Sequence, residues 1–142
     1  MGDRIRVGIV GGGRGWMFAD LFSQFPESCV TAIAERIPAR LAAVGATIPQ
    51  ARLFQEYETM LAEAELDAVV VASDPPSHAQ HVVMALEAGK HVLSEVPVSF
   101  TAEGHSQVLA AAARTPRVYM LAENACYWGF LHAWKQLYAA GE

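Results

Sequence analysis

Apolar positions along the chain fall into two alternating kinds of run: short stretches rich in β-branched residues, and longer stretches in which apolar residues recur every three or four positions. Arg4 to Val10 predicts a first strand, Gly11 to Gly15 a turn, and Trp16 to Phe25 a helix with Phe18, Leu21, Phe22 and Phe25 on one face. Pro26 closes that helix because proline cannot continue it. Cys29 to Ala34 predicts the second strand, Ala39 to Val44 a helix, Ala51 to Phe54 a short third strand and Glu56 to Ala64 a brief helix. Asp67 to Ala72 is apolar throughout between its ends, which suits a central strand covered on both faces. A loop at Ser73 to Pro76 leads into a helix from His78 to Ala88, stopped by Gly89. His91 to Ser94 predicts a fifth strand, Thr101 caps a helix running to about Arg114, and Arg117 to Ala122 predicts a sixth strand.

Strands alternating with helices in this order predict βαβ units and a parallel sheet. With right-handed crossovers, six strands give an α/β doubly wound sheet of order 3-2-1-4-5-6 between two helical layers, the three-layer αβα Rossmann arrangement. We assign residues 1–124 to this domain and 125–142 to a C-terminal helix. Within the latter, Tyr127, Trp128, Phe130, Leu131, Trp134, Leu137 and Tyr138 form a broad apolar face that something must cover. A further domain or subunit is expected there, so the chain is expected to be part of a larger enzyme.

A length of 142 residues suits one such domain, and 53% hydrophobic against 18% charged residues suits a sheet buried on both faces. The net charge of −5 and the lack of a basic cluster argue against nucleic acid or an anionic membrane as partner. No apolar stretch reaches the length needed to span a bilayer, and no secretory leader pattern precedes the first strand, so a cytoplasmic location is expected. Cys29 and Cys126 match no C-x-x-C spacing and read as buried small apolar residues. His78 and His81 share a helix face, but no third ligand supports a metal, and a polar helix surface is the expected setting.

The chemistry concentrates in the glycine-rich segment. Gly11 and Gly13 follow a strand and open a helix, so the first permits a tight turn and the second lets backbone N–H groups approach a pyrophosphate. The third glycine position of the usual G-x-G-x-x-G fingerprint is Trp16; the close helix–strand approach then falls to Gly15, and Arg14 is left to reach phosphate. The second strand ends at Glu35 and Arg36, where such a fold reads the adenosine ribose. A carboxylate there accepts from ribose hydroxyls and repels a 2′-phosphate, which favours NAD over NADP, whereas Arg36 could stack on adenine or pair with that phosphate. Glu35 and Arg36 could equally form only a solvated surface pair.

The run A-S-D-P-P-S-H-A-Q-H-V-V-M-A-L-E-A-G-K-H-V-L-S-E-V-P, from Ala72 to Pro97, resembles the core motif of the Gfo/Idh/MocA oxidoreductases, and the likeness extends to the Glu123–Asn124 pair. The resemblance implies NAD(P)-dependent dehydrogenation or reduction of sugars, inositols and related polyols, with a second α/β domain forming the substrate site and the interface of a homo-oligomer. It implies that Ser73, Asp74 and Pro75 lie in the loop beside the cofactor and that His78 starts the next helix. It likewise implies Glu95 and Val96 beside the nicotinamide half, Pro97 as the proline often found cis, and Asn124 near nicotinamide or substrate. Val96 stands where the family motif has a lysine that assists proton transfer, and valine can neither donate nor accept a proton. Two readings follow: an oxidoreductase whose proton relay lies elsewhere, and a binding or sensing module without turnover. No catalytic residue is assigned. A nucleotide such as S-adenosylmethionine would also use Gly11, Gly13 and an acidic residue, but leaves the Ala72 to Pro97 run unexplained.

Overall fold

The computed structural model describes residues 4–141. Along them run β1 (Ile5–Val10), α1 (Gly12–Ser23), β2 (Ser28–Ala34), α2 (Pro38–Thr47), β3 (Arg52–Phe54), α3 (Tyr57–Glu63), β4 (Ala68–Val71), α4 (His78–Glu87), β5 (His91–Ser94), α5 (Ala102–Ala113), β6 (Tyr119–Leu121) and α6 (Gly129–Ala140). The strands pair in parallel in the order β3-β2-β1-β4-β5-β6. This is the doubly wound order that the alternation of patterns predicts. The order reverses between β1 and β4, where Val10 and Val71 stand in register, and a crevice opens above their C-terminal ends.

Successive strand residues point to opposite faces, so β4 loads both layers at once. Val69 and Val71 pack with Met60, Val82, Leu86 and Val108 from α3, α4 and α5, while Val70 packs with Phe18, Ala19 and Val44 from α1 and α2. Fully burying a valine or isoleucine contributes roughly 1.5–3 kcal/mol, which is why the central strands can do without polar positions. Two punctuation marks behave as read: the Thr101 hydroxyl accepts from the Gly104 amide at 3.0 Å, and Gly89 turns the chain at φ +72°.

Three expectations need correction. The first helix starts at Gly12 and not at Trp16. Gly11 takes φ +100° and turns the strand straight into the helix, so the glycine segment is itself the first helical turn. The sheet-facing stripe is therefore Gly15, Phe18, Ala19 and Phe22, spaced i, i+3, i+4, i+7, and the expected members Leu21 and Phe25 are exposed. Neither cysteine is buried. Cys29 is partly open on β2, and Cys126 is exposed in a 3₁₀ turn, Ala125–Tyr127, that follows the edge strand β6. His78 is the third case and is taken up below. α6 buries none of its residues. Among the described residues, no helix is long and apolar enough to cross a membrane.

Candidate functional site

Above β1, the glycine segment is shaped by what a side chain would strike. A Cβ on Gly11 would lie 2.3 Å from the Ala72 carbonyl oxygen, and one on Gly15 would lie 2.7 Å from Ile9 Cγ2. Gly15 thus supplies the close helix–strand approach, and Trp16 points away at 53% exposure, outside the crevice. Gly13 differs: a Cβ there would meet nothing nearer than Arg40 Nη1 at 3.8 Å, and the residue lines a cleft of about 450 Å³. The Gly13 and Arg14 amides belong to the first turn of α1, so their own helix offers them no carbonyl. Two donors at the positive end of a helix, bare of side chain at Gly13 and open to a cleft, fit a diphosphate.

Glu35, at the end of β2, forms one wall of this cleft and is 9% exposed. Its carboxylate accepts from the Gly12 amide at 2.7 Å through Oε2 and from the Ile37 amide at 2.8 Å through Oε1. It is therefore not a solvated surface partner of Arg36. It caps α1 and fixes the loop, and each oxygen retains a lone pair for a further donor. Arg36 reaches instead to Asp74 at 3.1 Å, linking the end of β2 to the loop after β4 across the cleft rim. Burial works against ionisation of Asp74, yet the Ser77 hydroxyl at 3.0 Å, followed by main chain and Arg36, outweighs it and holds the carboxyl below its ordinary pKa.

Ser73 and Asp74 both line the cleft, whereas Pro75 starts the 3₁₀ turn Pro75–Ser77 and does not. Ser73 Oγ lies 2.9 Å from His81 Nδ1, and the His81 ring packs on Tyr57 with centroids 4.8 Å apart. Burial lowers the pKa of His81, which lines the cleft, despite the opposing charges of Asp74 and Glu58. His78 is neither on a helix surface nor in the cleft. At 1% exposure, its Nδ1 sits 2.7 Å from the Pro97 carbonyl oxygen and its Nε2 2.9 Å from that of Ser73. The first residue of α4 lies under both loops, so its imidazole ties them together instead of meeting a ligand.

On the other side of the switch point, Glu95 continues β5 alongside β4, its amide donating to the Val71 carbonyl at 2.8 Å. Arg14 lines the cleft, and its side chain is engaged by a carboxylate there: Nε donates to Glu95 Oε1 at 2.8 Å. Val96 follows, partly exposed, and its bond to Pro97 is cis. Asn124 is exposed just beyond β6. Glu95, Val96 and Asn124 stand outside the walled cleft, towards β5 and β6. The sequence reading singled out neither Arg40, Gln55, Tyr57, Ser77 nor Gln80, all of which line the cleft. Only Arg40 had a readable signal, as a cation in the first turns of the helix that follows the ribose-reading strand.

The family model described as "Oxidoreductase family, NAD-binding Rossmann fold", of the Gfo/Idh/MocA group, matches residues 5–123. The chain belongs to the Gfo/Idh/MocA oxidoreductases. Among curated relatives, it is 30% identical over 135 residues to glycosyl hydrolase family 109 protein 1 of Bacteroides fragilis, covering 88% of this chain and 29% of that protein. It is 31% identical over 112 residues to the uncharacterized oxidoreductase YrbE of Bacillus subtilis, covering 78% and 33% respectively. Among solved structures, scyllo-inositol dehydrogenase from Lactobacillus casei with bound NAD(H) and scyllo-inositol superposes with a TM-score of 0.87 at 27% identity, over 98% of this chain and 42% of that one. The WlbA dehydrogenase of Bordetella pertussis, in complex with NADH and UDP-GlcNAcA, gives 0.90 at 26% identity, over 98% and 40%. The chain thus spans under half the length of these Gfo/Idh/MocA proteins.

Proposed function

We propose that this chain is the cofactor half of a nicotinamide-dependent dehydrogenase or reductase acting on a sugar- or polyol-like substrate, with NAD favoured over NADP. The observation that carries the reading is the first turn of α1, where Gly13 and Arg14, whose amides have no carbonyl partner in their own helix, line a cleft at the switch point of the sheet. The Gly13 and Arg14 amides would hold the pyrophosphate. Glu35, already fixed by two amides, would accept from the adenosine ribose with its remaining lone pairs and repel a 2′-phosphate. Arg36, Asp74 and Ser73 would flank the adenosine; Glu95, Val96 and Asn124 would flank the nicotinamide. When bound, the cofactor supplies acceptance or donation of hydride.

Val96 offers no proton carrier, so the proton of a substrate hydroxyl would pass to another group. The exposed Trp128, just before α6, and Phe130, Trp134 and Leu137 on it would pack against a second domain that supplies this group, the rest of the substrate site and a homo-oligomer interface. The substrate class is supported by relatives whose names and bound molecules are those of glycosyl, inositol and sugar-nucleotide chemistry. The test is a titration of the chain with NADH and with NADPH, read by energy transfer from tryptophan to the reduced nicotinamide. Saturable binding, tighter for NADH, is expected; no saturation with either at millimolar concentration would refute the assignment.

A further inference from the structure

The Arg14–Glu95 pair joins the two halves of the switch-point crevice. Arg14 comes from the glycine turn above β1 and lines the cleft, Glu95 comes from the end of β5, and the two make a 2.8 Å contact. The Arg14 side chain is 58% exposed and the Glu95 side chain 12% exposed. Glu95 Oε2 accepts from the Val96 amide at 3.0 Å, so the carboxylate is held in place from its own strand as well. Glu35 marks the adenosine half of the crevice, and a dinucleotide laid across the switch point puts its second nucleotide on the β4–β5 side, where Glu95 stands. With Val96 beside it, Glu95 has one cationic neighbour in contact among the described residues, Arg14.

We propose that the Arg14–Glu95 pair sets how strongly the site distinguishes oxidised from reduced nicotinamide cofactor. The proposal rests on the cofactor reading above. The nicotinamide ring carries a positive charge when oxidised and none when reduced, and the rest of the dinucleotide is unchanged between the two forms. A carboxylate in that half favours the oxidised ring, and the guanidinium at 2.8 Å cancels most of this preference. In the wild type the paired charges leave little discrimination. Removing either partner exposes the charge of the other, and the two removals act in opposite directions.

The experiment measures the affinities of the 142-residue chain for NAD⁺ and NADH by calorimetry and follows their ratio. Any effect of Arg14 on the pyrophosphate cancels, because both forms carry it. Arg14→Gln is expected to shift the ratio about fivefold towards NAD⁺, Glu95→Gln about fivefold towards NADH, and the double variant to return to within about twofold of wild type. Arg14→Lys keeps the charge and must leave the ratio unchanged. Arg14 is exposed, so its two variants carry the test even where Glu95→Gln does not fold, as circular dichroism reports. A pair that is only structural would move both affinities together, and a ratio unmoved by Arg14→Gln overturns the proposal. Binding of neither form by the wild type overturns the cofactor reading and this inference with it.

Discussion

Gly11 and Gly13 are two residues apart on one turn, and the geometry assigns them opposite liabilities. A methyl at Gly13 strikes nothing in the protein, its nearest neighbour being Arg40 Nη1 at 3.8 Å. Replacing glycine by alanine inside a helix stabilises it by up to about 1 kcal/mol, less in a first turn, so Gly13→Ala should unfold at or slightly above the wild-type temperature. On the proposed reading, the same methyl would project into the space through which a phosphate reaches the Gly13 and Arg14 amides. Loss of one charge-assisted hydrogen bond costs about 1.5–3 kcal/mol, so NADH affinity should fall roughly tenfold to a hundredfold. Gly11→Ala is the counterpart: its methyl would sit 2.3 Å from the Ala72 carbonyl oxygen and 2.4 Å from the carbonyl carbon, at φ +100°. A clash with main chain at a left-handed φ should cost about 3 kcal/mol or more of stability. Urea unfolding followed by circular dichroism, beside NADH titration of each folded variant, separates the two. Gly13→Ala binding NADH within about twofold of wild type would refute the reasoning, because the methyl would then not lie in the ligand's path.

Other consequences follow from neighbouring residues. Glu35→Gln removes an acceptor from one of two amides, the buried one of Gly12 or the part-buried one of Ile37, and should cost about 1–3 kcal/mol in unfolding free energy while narrowing the preference for NADH over NADPH. His78→Ala removes the imidazole set between the Pro97 and Ser73 carbonyls, leaving the one that accepts its ring N–H without a donor and a hole under two loops, so a loss of about 3 kcal/mol and a melting temperature lower by roughly 10 °C are expected by calorimetry. Asp67 is held down to a pKa of about 2, first by its side-chain hydrogen bonds from Arg6. A carboxyl whose folded pKa is depressed contributes stability above its ordinary value of 3.8, and that contribution is lost as pH falls towards about 2. Both partners are about 40% exposed, so solvent screening keeps the contribution to about 1 kcal/mol or less. The slope of stability between those pH values should be visible in urea midpoints and shallower in Asp67→Asn.

The sheet was legible because burial on two faces demands uninterrupted apolar runs, and Val69 to Val71 have no other use in a chain of this size. The start of α1 was not, since glycines read as a turn by propensity and only the tertiary clash of Gly11 with Ala72 and the packing of Gly15 on Ile9 make them a helical turn. The same difficulty governed the site. Gly13 and Glu35 follow from position in a βαβ unit, which local sequence reports. The partners they take do not: Glu35 bonds Gly12 across 23 residues, and Arg14 bonds Glu95 across 81. A charged side chain of Arg14's length reaches several anions, and which one it takes depends on loop positions that no local pattern encodes. His78 illustrates the converse, because a histidine beginning a helix reads as solvent-facing until two loops fold over it.

The central claim is that the Gly13 and Arg14 amides hold the diphosphate of a nicotinamide dinucleotide. An amide-resolved NMR titration of the chain with NADH tests it directly. Saturable shifts largest at Gly13 and Arg14, with smaller ones along β5 and α4, are expected; shifts that are absent at millimolar NADH, or that gather away from the first turn of α1, would contradict it.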